Sequence, residues 1–444
     1  MNKLIDRTER PSCAGVIIPW FTAADRPLPT RHEETAGLAE ALGCELAFIR
    51  EEQVRRISPA HLLPAGMIET LIDDLVSADC NLIIVDGALT PVQQRNLERR
   101  LNVKVIDRTG LILEIFGLRA RTREGKLQVE LARQLYERSR LVRTWTHLER
   151  QRGGRGFLSG PGESQLEADK RMLDRRVQRL RRDLQDVRRT RGLQRQGRKR
   201  AGIPVIALVG YTNAGKSTLF NRISGANVLA KDMPFATLDP TIRKITLPRI
   251  GEATLIDTVG FITDLPTHLI ESFQATLEEI LEADLLIHVR DRSSPDDAAQ
   301  KKDVTLILEA LSDDDRPLPP MLEAWNKADL LEPTERAVLA ETAALEAPVT
   351  SVLTSSLNGE GIEDLLHLIT TALSVGVIVV SVTLLPECGE TRSWLYQYGD
   401  VGEETFDEET GATTLRVRLT LAEFGQFQTK FPDISIQAED VPSG

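Results

Sequence analysis

Long apolar runs are missing from this chain. The longest, VGVIVVSVTLL (375–385), falls well short of the roughly 18 residues that a membrane-spanning helix needs. The first residues, MNKLIDRTERPS, are charged where a secretory signal would be apolar. No membrane partner is expected, and a soluble, cytoplasmic protein is. Cysteine is scarce as well. Cys13, Cys44, Cys80 and Cys388 are the four in 444 residues, with no C-x-x-C pair, and the six histidines form no metal-spaced cluster. Structural zinc does not fit this pattern, and a reduced compartment does.

Basic charge is short everywhere except in one block. Residues 119–200 hold 25 of the 55 Lys and Arg but only 10 of the 66 Asp and Glu, so a chain of net charge −11 carries one strongly positive segment. A short charge run is usually a solvated helix face. A basic excess confined to one block of an otherwise acidic chain points instead to a polyanionic partner.

What is present divides into four stretches, within the two to four domains that this length allows. In residues 1–118, apolar runs (CAGVIIPW, CELAFIR, NLIIVDG, VKVID) alternate with helical patterns (EETAGLAEALG, MIETLIDDLVSADC, TPVQQRNLERRLN), which predicts a small parallel α/β sheet. Glu33, Glu34, Asp73 and Asp74 read there as solvated helix faces. In residues 119–200, Leu173, Val177, Leu180, Leu184 and Val187 recur at spacings of four, three, four and three, and Leu127, Leu131, Leu141, Trp145 and Leu148 form a looser stripe. Two such helices joined by GGRGFLSGPGESQLEAD (153–169) make an antiparallel hairpin whose loop is its far tip and whose arginines line its outside. GLQRQGRKRAG then loses periodicity and reads as a hinge. Residues 375–444 suggest a small α+β unit, βαββα, without readable chemistry.

Chemistry is concentrated in residues 201–374. A β-rich run, Pro204 to Val209, feeds GYTNAGKS and then an amphipathic helix, the Walker A pattern in its strand–loop–helix setting. Gly210 and Gly215 let the backbone wrap phosphates, Lys216 neutralises β/γ charge, and the Ser217 hydroxyl suits Mg²⁺. Asn326-Lys327-Ala328-Asp329 resembles the guanine-recognition motif of GTPases, in which the aspartate accepts from N1–H and the exocyclic amine of the base. Adenine would leave that carboxylate unpaired, and sites of this kind reject the wrong ligand by roughly 10⁴ to 10⁵. By the same resemblance Asp257 holds Mg²⁺ through water, the Gly260 N–H senses the γ-phosphate, and Thr237 of FATLDPT is a second hydroxyl ligand. The expected nucleotide-contacting set is therefore Gly210, Tyr211, Thr212, Asn213, Ala214, Gly215, Lys216, Ser217 and Thr218, with Phe235, Ala236, Thr237, Leu238 and Asp239. To these are added Asp257, Thr258, Val259 and Gly260, then Asn326, Lys327, Ala328 and Asp329, and finally Ser355 and Ser356. Lys216, Thr237 and Gly260 are expected to act in catalysis, and Ser217 and Thr237 as metal ligands.

VIDRTGLILEIF, RARTREGKLQVELA, RLVRTWTHLERQ, GPGESQLEAD, GYTNAGKSTLFNRI and FATLDPT together resemble the HflX family of ribosome-associated GTPases, over most of residues 14–374. The resemblance implies a Mg²⁺-dependent GTPase, acting as a monomer on GTP and the large (50S) ribosomal subunit. It implies splitting or rescue of stalled ribosomes, with the hairpin pointing toward the peptidyl-transferase region and its rRNA. A nucleotide-gated binding module, or a maturation factor for the large subunit, would share these motifs. The chain has Ser355-Ser356 where the family has Ser-Ala, and HLLPAGMIE where the family's N-terminal domain has a glycine- and lysine-rich GxGK stretch, which argues against a second nucleotide site there. Phe261 follows the DTVG glycine, near where related enzymes place a water-orienting glutamine. Asn213 matches a position that ligates K⁺ in a similar group of P-loop GTPases; here it either does so or only hydrogen-bonds the loop.

Overall fold

The computed structural model describes residues 13–21, 28–151, 161–200, 203–226, 233–248, 250–263, 277, 279–312, 316–345, 350–374, 377–407, 410–432 and 434–438. Strands β1 (Cys13–Trp20), β2 (Glu45–Gln53), β3 (Leu82–Val85) and β4 (Lys104–Asp107) form a parallel sheet in the order β2-β1-β3-β4. Helices α1 (Leu28–Ala41), α2 (Ala65–Ala78) and α3 (Pro91–Leu101) make the crossovers, which is why β3, LIIV, is apolar and buried throughout. The start of α3 is written locally. Pro91 sits where a missing N–H costs nothing, while Thr90 and Gln93 cap each other reciprocally. Helix α4 (Arg108–Arg119) begins at Asp107, whose carboxylate accepts from Gly110 N at 2.8 Å. The sheet brings together thiols far apart in sequence: Cys13 and Cys80 lie with their Sγ atoms 2.6 Å apart, both as free cysteines. Burial, and then the neighbouring thiol, push Cys80 up to about 12.

Helices α5 (Arg123–Gln151) and α6 (Pro161–Arg200) form the hairpin. Its buried seam joins Leu131 and Leu135 to Val177, Leu180 and Leu184, with Leu127 packed alongside. Leu135 completes an i, i+4 ladder that the looser stripe passed over, and Leu141 is only half-buried. The side chains of 142–150 lie outside the described set, as do residues 152–160 of the expected tip. Two expectations are corrected here. The segment from Pro161 to Asp169 is helical rather than loop, because proline is well placed in a first turn and good helix formers follow it. No hinge interrupts GLQRQGRKR, which stays helical to Arg200, since an interior glycine costs only about 1 kcal/mol among so many Gln, Leu and Arg.

The third unit is a six-stranded sheet in the order β10-β9-β8-β5-β7-β6. Its strands are β5 (Val205–Val209), β6 (Thr241–Leu247), β7 (Gly251–Asp257), β8 (Leu285–Asp291), β9 (Met321–Asn326) and β10 (Ser351–Leu353), and β6 alone runs antiparallel. Around it lie α7 (Lys216–Ser224), α8 (Asp297–Leu311), α9 (Pro333–Leu345) and α10 (Ile362–Ser374). Sequence-successive strands fall on opposite sides of β5, so the loop leaving its C-terminal end opens into the crevice where open α/β sheets bind ligands. This unit and the N-terminal one share one core, in which Phe116 and Ile112 meet Phe235, Leu238 and Phe261.

The C-terminal unit is β11 (Val377–Leu384), α11 (Gly389–Tyr398), β12 (Asp400–Phe406), β13 (Thr413–Thr420), α12 (Leu421–Lys430) and β14 (Ile436–Ala438), antiparallel in the order β12-β13-β11-β14. The sequence pattern missed β14 because three residues cannot display a period. Among the described residues no helix is long and apolar enough to cross a membrane.

Candidate functional site

The loop between β5 and α7 folds back over the first turn of its own helix. Gly210 stands at φ 149, and a Cβ there would lie 2.3 Å from the carbonyl oxygen of Val289; Gly215 stands at φ 94. Both positions need glycine for conformation and for space. Asn213 also takes the left-handed region, at φ 61, and is exposed. Lys216 is buried and donates its ammonium to the carbonyls of Gly210, 3.1 Å, and Tyr211, 2.7 Å. Burial pushes it down to about 8, against the opposing pull of Asp257. That is the condition of a cation held ready for a polyanion in a dry pocket.

A second cluster stands beside it. Ser217 and Thr237 both donate to Asp257 Oδ2, at 2.7 and 2.8 Å, and their hydroxyls are 2.8 Å apart. Asp257 is fully buried, and burial raises its carboxyl more than Lys216, Ser217 and Thr237 lower it. Its other oxygen, Oδ1, has no hydrogen-bond partner. Two hydroxyls and a buried carboxylate with an orphaned oxygen are an all-oxygen donor set of the kind a hard divalent cation takes, so the residues fit Mg²⁺.

The turn that follows β9 forms a shelf, joined to this loop through one side chain. Asn326 Nδ2 donates to the Ala214 carbonyl at 2.8 Å, and Asn326 Oδ1 accepts from Ser356 N at 2.9 Å and Ser356 Oγ at 2.8 Å. The bond from Ser356 Oγ is one that alanine in its place could not make. Lys327 takes a left-handed φ of 64 and reaches Asp291 at 2.7 Å, which turns the chain into the short 3₁₀ turn Ala328–Leu330. Asp329 is exposed in the middle of that turn, with Oδ1 accepting from Ser355 Oγ.

These groups enclose a cavity of about 430 Å³. Of the expected residues, Thr212, Asn213, Gly215, Lys216, Ser217, Thr218, Phe235, Ala236, Thr237, Thr258, Gly260, Asn326, Lys327, Asp329 and Ser356 line it. Met233, Leu330 and Leu357 line it too and were not foreseen, since an apolar wall beside a planar base carries no motif. Gly210, Ala214, Asp257, Val259, Ala328 and Ser355 are not among the lining residues, although Gly210 and Ala214 accept from Lys216 and Asn326, Asp257 accepts from Ser217 and Thr237, and Ser355 donates to Asp329.

Three expected residues are used elsewhere. Tyr211 turns its hydroxyl to Thr263, accepting from its backbone N at 2.9 Å, and to Glu34 of α1. Leu238 is buried in the shared core, and Asp239 binds the start of α5. Glu34 is accordingly no solvated face, because Arg108 joins it to Asp86 at 2.6 Å and to the Thr263 carbonyl at 3.1 Å. Burial would raise Asp86, but Arg108 and Arg31 outweigh it and hold the carboxyl below its ordinary value. Phe261 does not face the chemistry. Its backbone bridges the phosphate loop, Thr212 N to Phe261 O at 2.7 Å and Phe261 N to Gly210 O at 3.1 Å, and its ring is 1% exposed in the core.

A glycine-gated phosphate loop, tied through one asparagine to a shelf that ends in an exposed carboxylate, belongs to the P-loop GTP hydrolases. Family models agree along nearly the whole chain: GTP-binding GTPase N-terminal over residues 30–117, its middle region over 119–198, 50S ribosome-binding GTPase over 205–327, and HflX C-terminal domain over 339–440. The GTPase HflX of Magnetococcus marinus is 43% identical over 396 residues, covering 89% of each chain. That of Escherichia coli is 41% identical over 392, covering 88% of this chain and 90% of its own. The chain belongs to the HflX family of GTPases and is a GTP-hydrolysing enzyme. Among solved structures, a GTP-binding protein of Sulfolobus solfataricus in complex with GDP is similar at 23% identity and a TM-score of 0.44, covering 82% of this chain and 99% of its own.

Proposed function

We propose that this GTPase binds the large ribosomal subunit through its helical hairpin and uses GTP hydrolysis to split or rescue stalled ribosomes. The observation that carries the reading is the outer face of α6. Arg171, Arg175, Arg176, Arg179, Arg181, Arg182 and Arg189 are all exposed, while Val177, Leu180 and Leu184 between them are buried against α5. A rod armed in this way fits rRNA phosphates. The proposed domains are 1–118, 119–200, 201–374 and 375–444. Although the C-terminal family model starts at 339, Leu365 and Ile369 of α10 pack into the same core as Ile206 and Leu208, which supports keeping 339–374 with the GTPase sheet.

Within the site, Lys216 and the loop N–H groups would bind the β- and γ-phosphates, and the Gly260 N–H would meet the γ-phosphate. A Cβ at Gly260 would lie 3.0 Å from Lys216 Nζ, so only glycine leaves that approach open. Ser217 and Thr237 would hold Mg²⁺ with Asp257 behind them, and the ion would supply charge neutralisation for phosphoryl transfer. With Phe261 buried in the core, orientation of the attacking water falls to other groups. Asn213, exposed on the loop and lining the cavity, would ligate K⁺, whose charge would add to that of Mg²⁺.

Cosedimentation with large ribosomal subunits across a KCl series tests the hairpin. Affinity should fall with a log–log slope of roughly −0.7 to −0.9 per phosphate neutralised, and the Arg175, Arg176, Arg181 and Arg182 to Gln variant should flatten the slope by about 3. Binding that is independent of salt, or unchanged in the variant, would remove the hairpin from the interface.

A further inference from the structure

Asp239 lies two residues beyond Thr237, yet it does not line the nucleotide cavity. Its carboxylate closes on the root of the hairpin. Oδ2 accepts from the backbone N–H groups of Arg121 and Thr122, at 2.8 and 2.9 Å, and Oδ1 accepts from Thr122 Oγ1 at 2.5 Å. Thr122 Oγ1 in turn accepts from Gly125 N at 2.9 Å, capping the first turn of α5. Orphan N–H groups and the positive end of the helix dipole make this the place where an anion is best received. The approach is close: a Cβ on Gly125 would lie 2.2 Å from Asp239 Oδ1.

On the other side of Thr237, Phe235 anchors the same loop. It is 2% exposed, at a strained φ of 55, with its ring edge-to-face on Phe116 of α4 at 4.7 Å. Thr237 is thus strung between two anchors, and both belong to segments outside the GTPase sheet.

We propose that Asp239 is a positioning residue for Thr237, tying its loop to the hairpin root so that the nucleotide state of the site and the setting of α5 bias each other. The inference rests on the nucleotide-site reading and not on the identity of the hairpin's partner. Coupling of this kind is reciprocal, so whatever reorients α5 also alters how readily Thr237 is in place.

Hydrogen–deuterium exchange on the full chain, loaded with GDP or a non-hydrolysable GTP analogue, reads the coupling at the amides of Gly125, Lys126 and Leu127. Protection in the parent should differ by about fivefold or more between the two nucleotides, and Asp239→Ala should erase the difference. Gly125→Ala should erase it as well, although it improves helix propensity and leaves every GTPase-sheet residue untouched. Both variants should lose about tenfold in kcat with KM for GTP within about twofold, and Asp239→Asn, which keeps one accepting oxygen, should recover part of the loss. Unchanged GDP affinity certifies the fold and pocket of each variant. Equal exchange in the parent with both nucleotides, a difference that survives in the variants, or a KM effect without a kcat effect would overturn the coupling and leave the site reading standing. Failure of the parent to bind guanine nucleotide would instead remove the site reading, and the coupling with it.

Discussion

Asp329→Asn protein is expected to lose GTP and to accept xanthosine triphosphate. The backbone of the shelf is held independently of the carboxylate, by Ala328 N to Thr354 O at 3.0 Å and by Thr354 N to Trp325 O at 2.8 Å, so the substitution should change chemistry and not shape. With Ser355 already donating to one oxygen, the other is left for the base. Asparagine would set an amide against guanine N1–H and the exocyclic amine, whereas xanthine carries a carbonyl where guanine has the amine. Affinity for GTP should fall by roughly 10³ or more, toward the range by which built polar sites reject wrong partners. Titration of GTP, XTP and ATP against both proteins checks this, and GTP selectivity kept by the variant would contradict the assignment of the shelf.

Gly215→Ala should cost a comparable amount by another route. A Cβ there would sit 2.1 Å from Asn326 Nδ2, the atom that donates to Ala214 O and ties the phosphate loop to the shelf. A φ of 94 adds backbone strain for any side chain. Displaced Asn326 would leave the Ser356 hydroxyl and N–H without their acceptor in a buried place. Strain and lost buried hydrogen bonds together amount to about 3–5 kcal/mol, or on the order of 10² to 10³ in nucleotide affinity. Isothermal titration with GDP measures it; a loss below tenfold would mean that the loop and the shelf are not joined through this contact.

The phosphate loop and the base shelf could be read in the sequence because their chemistry demands particular residues at contiguous positions. Lys216, Ser217, Asn326 and Asp329 have few substitutes for those tasks. What the motifs could not reveal was direction. Tyr211 and Asp239 sit inside recognised motifs, but their side chains leave the pocket for partners 177 and 117 residues away, pairings that only the folded chain makes. Glu34 read as solvated for the same reason, since Arg108 reaches it from 74 residues along the same unit and Tyr211 reaches it only across the contact between two units. In the hairpin, the loss of periodicity in GLQRQGRKRAG pointed to a hinge, and a helix of otherwise strong helix formers runs through to Arg200 instead. The strand–helix alternation of the N-terminal unit was legible because its central strands, β1 and β3, are buried on both faces and therefore apolar almost throughout.

Steady-state GTP hydrolysis measured with and without purified large ribosomal subunits, in a potassium salt, bears most directly on the claim that nucleotide site and hairpin act together on the ribosome. With Phe261 buried and no polar side chain in its place, turnover by the protein alone should be slow, and large subunits should accelerate it by about 10³ or more, within the range that groups supplied in trans achieve. A rate that large subunits leave unchanged, at concentrations where they bind the hairpin, would contradict it.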